Sequence, residues 1–368
     1  MPKLNLAVLF GGRSGEHEVS LMSARSVLEA LDSDKYQVFQ VGITHDGAWL
    51  TGEDAVGAFE RGDTSGLDSA TLLPEPGDRG LYARRHGTEL SRITDLDVAV
   101  PILHGSYGED GTIQGLFELA ELAYVGAGVL ASAVAMDKGL FKWLMRAHGI
   151  PVLDFAIIDS GKLDRDIDSA MDEAETVSSY PLFIKPANMG SSVGVSKVVN
   201  RSDLVEGLLE AAQYDRRILV ERGIEAREIE LSVLGNEDPE ASIPGEVIPS
   251  DEFYSYRAKY IDDRSELHIP ARIDFETTEE ARRIAVEAYK AIDGAGMARV
   301  DMLLEKETDR LYLNEINTIP GFTRISMYPK LWEASGLPYP ELMDRLIELA
   351  QARQAQKDAL IRTYEDAA

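Results

Sequence analysis

Short apolar runs alternate with helix-spaced segments over the first hundred residues, and this alternation constrains the fold more than any other feature. Leu4 to Phe10 is a strand-length apolar run ending in Gly11-Gly12. Val19 to Leu31 places Val19, Met22, Val27 and Leu31 at helical spacing. Val38 to Ile43 and Asp97 to Leu103 read as further strands, the latter ending in His104-Gly105. Strands separated by helices pair in parallel in an open sheet, whose ligands lie beyond the carboxyl ends of the strands. Both glycine-bearing segments fall at such ends. Residues 57–95 are rich in Gly, Asp, Ser and Arg with weak periodicity, and read as an irregular insertion.

A helix around Met136 to Ile150 leads into Pro151, a domain boundary. Residues 151–234 read as a smaller α+β unit. Its strands are Pro181 to Lys185, Val195 to Val199 and Ile218 to Glu221, with a helix from Ser202 to Gln213. From about 235 a third region holds a polar aromatic loop (Ser250 to His268) and a helix (Thr278 to Ile292). Two strands (Ala298 to Leu304, Leu311 to Ile316) and a last helix from Tyr339 complete it. A chain of 368 residues has room for two or three domains at about 150 residues each.

Lys and Arg number 37 against 64 Asp and Glu, a net charge of −27. Such a surface repels nucleic-acid phosphates and anionic lipid. The absence of cysteine excludes disulfides, thiolate metal sites and a Cys nucleophile. With no signal peptide or membrane-length apolar run, a cytoplasmic enzyme or binding protein is expected.

The loop Lys185-Pro-Ala-Asn-Met-Gly-Ser-Ser-Val-Gly194 reads either as a phosphate cradle or as a flexible hairpin. Glycines let backbone amides approach a phosphate, Ser191 and Ser192 add hydroxyls, and Lys185 adds charge. Walker and G-x-G-x-x-G spacings are both absent.

Arg299-Val-Asp301 and Leu311-Tyr-Leu-Asn-Glu-Ile-Asn317 carry a stronger signal. Side chains alternate faces along a strand, and residues 305–310 are short enough for a hairpin. Antiparallel pairing then gathers Asp301, Glu315 and Asn317 on an apolar background. Two carboxylates and an amide oxygen form a hard site that suits magnesium.

Three weaker features remain. Glu221 and Glu228 flank a short connector and read as acceptors for ribose hydroxyls or as ordinary loop charges. Glu16, in Gly11-Gly-Arg-Ser-Gly-Glu-His-Glu-Val-Ser20, serves equally as a helix-capping acid or a partner for an ammonium group. His104, in His104-Gly-Ser-Tyr-Gly-Glu-Asp-Gly111, reads as structural or catalytic.

Taken in order with Met136-Asp-Lys138 and Asn314-Glu-Ile-Asn-Thr-Ile-Pro-Gly321, these segments resemble the D-alanine–D-alanine ligases of the ATP-grasp superfamily, from Gly11 to about Leu346. The resemblance implies a mixed α/β and α+β chain with a three-domain ATP-grasp fold. An N-terminal open parallel-sheet domain (1–137) would precede a central domain (138–234). The C-terminal domain (235–368) would carry an active-site lid at about 250–268. It implies ligation of two D-alanines through an acyl phosphate for peptidoglycan precursor synthesis. ATP would be a substrate, and two magnesium ions, replaceable by manganese, would sit on Asp301, Glu315 and Asn317.

By the same resemblance, Lys138, Lys185 and Ser192 hold ATP phosphates, the strand through Glu221 contacts adenine, Glu228 takes the ribose and Tyr254 adds to the nucleotide site. The family's usual aromatic, two positions after the adenine-strand Glu, is Gly223 here. Glu16 meets the first D-alanine's ammonium near His104. Arg299 and the Gly321 amide stabilise the oxyanion, and Ser326 binds the second D-alanine's carboxylate. Lys259 and Tyr260 belong to the lid, with Tyr260 closing a network with Glu16 and Ser191. A homodimer is typical of the family. The competing readings are a D-alanine–D-lactate ligase, another ATP-grasp carboxylate–amine ligase, a dinucleotide-dependent oxidoreductase and a non-catalytic ATP-binding regulator. Lys259-Tyr260 resembles the dipeptide-forming type of lid, against the first, and with the His104 loop it stands against the second. The missing G-x-G-x-x-G and the intact metal and phosphate positions stand against the last two.

Overall fold

The computed structural model describes residues 2–85, 89–248 and 266–361. Three sheets organise them. The first has the order β6-β5-β4-β3-β2-β1-β7-β8, built from β1 (Leu4–Gly11), β2 (Tyr36–Ile43), β3 (Trp49–Gly52), β4 (Asp68–Leu72), β5 (Gly80–Arg85), β6 (Glu89–Asp95), β7 (Val98–Ile102) and β8 (Ala123–Tyr124). Its helices are α1 (His17–Ala30), α2 (Ala55–Glu60), α3 (Thr112–Leu119) and α4 (Val129–Met136). Strands β2, β1, β7 and β8 pair in parallel. From β2 outward to β6 all pairing is antiparallel. The stretch 57–95, expected to be irregular, therefore holds three antiparallel strands, β4, β5 and β6. β4 and β5 bury only Ala70 and Leu72, and Leu81 and Ala83, alternations too short to stand out from the Ser, Thr and Arg around them, and β6 at the sheet edge is mostly exposed.

The helix α5 (Lys138–Ala147) leads to the second sheet, ordered β11-β10-β12-β9. Its strands are β9 (Phe155–Asp159), β10 (Leu182–Pro186), β11 (Ser196–Val198) and β12 (Arg217–Arg222), backed by α6 (Ser160–Arg165), α7 (Ile167–Glu175) and α8 (Arg201–Ala211). Asp137 caps α5 by accepting from the Gly139 and Leu140 amides.

The third sheet is entirely antiparallel: β16-β15-β13-β17-β18, with β14 on β13. These strands are β13 (Ala226–Leu234), β14 (Glu240–Ala241), β15 (Gly245–Ile248), β16 (Glu266–His268), β17 (Met297–Glu305) and β18 (Leu311–Asn317). The 17-residue helix α9 (Phe275–Ala291) covers one face. It buries Ala281, Ile284, Ala285 and Ala288, an i, i+3, i+4, i+7 stripe. Last come α10 (Met327–Ala334) and α11 (Tyr339–Asp358). The apolar side of α11 (Leu342, Met343, Leu346, Ile347) packs in one core with Leu6, Val8 and Phe10 of β1. Arg353 then donates to the Gly126 and Tyr124 carbonyls at 2.6 and 3.2 Å. The chain's end thus straps its beginning. No helix of the described residues is long and apolar enough to cross a membrane.

Candidate active site

The β17–β18 hairpin builds an acidic centre. Asp301 pairs directly with Glu315, and Arg299 with Asn317. A register shift at Asp301/Met302 leaves Asn314 as the extra residue, so Asn314 and Glu315 both line the adjoining cavity. Asn317 Nδ2 donates to Asp301 Oδ2 at 2.9 Å, which leaves the amide oxygen for a cation. Arg299 grips the same carboxylate twice, Nε to Oδ1 and Nη2 to Oδ2, each at 2.7 Å. Its guanidinium also lies 3.0 Å from Glu230 on β13. Glu315 faces the Lys138 ammonium at 3.5 Å. The hairpin thus brings together all three residues read as metal ligands. Their oxygen-only chemistry fits magnesium.

A cavity of about 310 Å³ lies between the second and third sheets. Lys185, Phe183 and Glu221 face it from one side, and Glu228, Asp301 and Met302 from the other. The loop over its rim holds Ser191 and Ser192 at φ 50° and 59°. Non-glycine residues in that left-handed region cost about 1–3 kcal/mol each and collect at ligand clamps.

Within the cavity wall Glu221 is 1% exposed. Lys185 Nζ donates to its Oε2 at 2.7 Å, and Lys142 pairs with its Oε1. Burial opposes the Glu221 charge, but the two ammonium groups override it and hold the carboxyl down to about 2. Burial draws Lys142 below the ordinary lysine value, while Lys185, also opposed by burial, is carried above it by Glu221. Both acids read as ribose acceptors line the cavity, and Glu221 has its carboxylate committed to lysines. Lys142 was not foreseen, although it stands one helical turn from Lys138 on the side of α5 that buries Phe141 and Met145.

Gly223 has a physical reason to replace an aromatic. A Cβ there would meet the Pro181 carbonyl at 2.7 Å and Pro181 Cγ at 3.0 Å. The Gly223 amide itself donates to that carbonyl at 3.0 Å. Phe183, Leu153, Ile224 and Leu303 instead supply the cavity's apolar lining.

A second cavity of about 50 Å³ adjoins the first, and Lys138, Gly190, Ser191 and Glu315 line both. Glu16, Glu109, Arg299 and Asn317 complete its wall. Ser191 Oγ donates to Glu16 Oε1, joining the first domain to the rim loop. Gly105 is favoured here by its left-handed φ of 72°, and a Cβ would also press on the Glu16 carboxylate, 2.4 Å from Oε2.

His104 is buried, with both ring nitrogens engaged. Nδ1 lies 2.8 Å from the Ile319 carbonyl and Nε2 3.0 Å from Ser23 Oγ. Burial pushes the imidazole below its ordinary value. Glu109 accepts from the Gly105 and Ile319 amides, both at 2.8 Å. Burial pushes its carboxyl up to about 8, aided by Glu16 and opposed by those two amides. Glu109 was missed because an acid in a Gly-rich loop has no periodic signature. Gly321 and Ser326 lie on the segment this pair holds, and neither lines the two cavities. Ser326 sits at the N-cap position of α10, where its Oγ turns back to lie 2.7 Å from Thr323 Oγ1 without capping a helix amide. Tyr254, Lys259, Tyr260 and the lid of about 250–268 lie outside the described residues, except for β16 at its end.

Known proteins share this architecture. The family model described as "D-ala D-ala ligase N-terminus" matches residues 5–127, and "D-ala D-ala ligase C-terminus" matches residues 144–348. A D-alanine–D-alanine ligase from Thermoanaerobacter sp. (strain X514) is 50% identical, covering 97% of this chain and 99% of that protein. One from Natranaerobius thermophilus is 46% identical, covering 97% and 98%. The solved D-alanine–D-alanine ligase of Coxiella burnetii superposes with a TM-score of 0.82 at 37% identity, covering 98% of each chain. The VanG D-Ala:D-Ser ligase of Enterococcus faecalis superposes with 0.84 at 34% identity, covering 95% of this chain and 100% of that one. An acidic hairpin set between two joined cavities, in a chain matched over nearly its whole length, makes this protein a member of the D-alanine–D-alanine ligase family.

Proposed function

We propose that the chain ligates two D-alanines with ATP, releasing ADP and phosphate and forming D-alanyl-D-alanine for peptidoglycan precursors. One observation carries this reading. Asp301, Glu315 and Asn317 converge where a nucleotide-sized cavity meets a small polar one. A phosphoryl group held there can pass between them.

A carboxylate is a poor acylating agent. Transfer of the γ-phosphoryl group to the first D-alanine makes an O–P bond and frees ADP, leaving an acyl phosphate with a good leaving group. The second amine then forms the C–N bond, loses a proton, and phosphate departs. Such transfer needs positioning and charge neutralisation more than covalent help. Lys138 and Lys185 supply charge for the phosphates, Ser192 adds a hydroxyl, and the strand through Glu221 and Glu228 holds the nucleoside. Asp301, Glu315 and Asn317 would hold magnesium, which neutralises phosphate charge when bound. Arg299 and Lys138, which now balance these carboxylates, would then face the transferring group and the oxyanion.

Glu16, oriented by Ser191, takes the first ammonium beside His104. The Gly321 amide serves the oxyanion, and Ser326 the second carboxylate. Tyr260 would close the network with Glu16 and Ser191, beside Lys259 on the substrate side and Tyr254 on the nucleotide side, where excluding water protects the acyl phosphate. The domains are set at 1–137, 138–234 and 235–368, with β13 (Ala226–Leu234) already pairing in the third sheet, which draws the second boundary back to about 225. Work in the cytoplasm as a homodimer completes the proposal. The test is ADP release with D-alanine, D-serine or D-lactate supplied, with product masses measured. ADP release independent of D-alanine would overturn the reading.

A further inference from the structure

At the start of α1, outside both cavities, two imidazoles and a carboxylate come together. His17 is the first helical residue after Glu16, and its ring is 5% exposed. Its Nδ1 lies 2.8 Å from the Gly12 carbonyl. A carbonyl only accepts, so Nδ1 carries the hydrogen and Nε2 keeps a bare lone pair. Among the described residues nothing hydrogen-bonds to that Nε2. His45 stacks on the His17 ring with centroids 3.8 Å apart. Glu18 Oε1 stands 4.0 Å from His45 Nε2. One donor atom from each of the three lies within 4.8 Å of the others.

We propose that His17, His45 and Glu18 form a binding site for a borderline divalent transition ion, with zinc as the type case. Two imidazoles and one carboxylate, with water in a fourth position, is a zinc-like ligand set. Magnesium, which demands oxygen, is discriminated against by the nitrogens. The Gly12 carbonyl on Nδ1 is the outer partner that fixes the tautomer of a metal-bound histidine. Stacked rings cannot both aim a lone pair at one ion. On binding, the exposed His45 ring therefore turns on its side chain while the buried His17 ring stays. Its backbone has a fixed base, because Gly47 and Thr44 donate to the Thr44 and Ala48 carbonyls at 2.9 Å. A cation at a helix N-terminus is mildly disfavoured by the dipole, and Glu18 in the first turn offsets this. The ion would tie the 44–48 turn to the helix that begins beside Glu16. This site stands apart from the ligase reading and does not rest on it.

Calorimetric titration of the untagged full chain with zinc chloride, at millimolar magnesium and without nucleotide, tests the site. The expected result is one zinc per chain with a dissociation constant in the micromolar range. His45→Ala and Glu18→Gln, both at exposed positions, should each weaken it at least tenfold. Cobalt should show a tetrahedral visible band in the wild type and not in His45→Ala. Equal zinc affinity in wild type and His45→Ala would overturn the proposal, as would no wild-type binding below about 100 μM.

Discussion

The His104 imidazole meets the Ile319 carbonyl at 2.8 Å across 215 positions of sequence. Glu109 accepts from the amide of the same residue, so both backbone polar groups of Ile319 are held by one loop of the first domain. Ser23 extends the grip by receiving the Phe322 amide at 3.2 Å. The segment carrying Gly321 is thereby fixed from outside its own sheet.

Glu109→Gln replaces one accepting oxygen with a donor and strands one of two buried amides. The expected cost is about 1–3 kcal/mol, read as a lower urea midpoint and a lower kcat. The wild type has a pH signature as well. Between the ordinary 4.5 and about 8, the folded carboxyl keeps a proton that the unfolded chain has lost. Stability therefore falls as pH rises through that window and levels off above it. In Glu109→Gln this part of the slope should vanish.

Glu221 works in the opposite sense. Its carboxyl is held at about 2 against an ordinary 4.5. Its contribution is present above 4.5 and is lost as pH falls toward 2. Glu221→Gln leaves Lys142 and Lys185 buried without their counter-charge, at an expected cost of about 3–5 kcal/mol. Denaturant unfolding at neutral pH measures it, and ATP affinity should fall alongside.

Removal of magnesium by a chelator should stop ADP release, with full recovery on adding the ion back. Asp301→Ala should stop it irrecoverably, a drop on the order of 10³-fold or more in kcat. Turnover retained in either case would contradict the assignment of the acidic hairpin.

Phe183→Ala should raise the KM for ATP about tenfold with kcat nearly unchanged, since an aromatic face is worth about 1–3 kcal/mol to a stacked base. Nucleotide titration followed by steady-state kinetics distinguishes this from a general loss of fold.

The hairpin was legible because period-two alternation puts Asp301, Glu315 and Asn317 on one side whatever the surroundings. The bulge that makes Asn314 the extra residue marks the sequence only as two polar residues in a row, Asn314-Glu315, which a strand end produces as readily. Lys142 carried a readable sign, a charge on an otherwise buried helix side, but its partner Glu221 lies 79 positions away, beyond any local pattern. Strands β4 to β6 escaped for a different reason. β4 and β5 each offer only two buried apolar residues amid Ser, Thr, Arg and Asp, and β6 lies at the exposed edge, so their pairing is fixed by the neighbouring strand more than by their own composition. The hold on Ile319 depends on a fold that brings positions 104, 109 and 319 together, which one sequence does not display.

The strap formed by α11 bears on synthesis. Leu342, Met343, Leu346 and Ile347 close the core around β1, and Arg353 secures it from beyond that stretch. A ribosome releases those residues after every strand of the first sheet. The opening sheet must therefore wait, with one apolar side uncovered, until α11 has emerged, and a message cut short before α11 would yield a first domain that never seals.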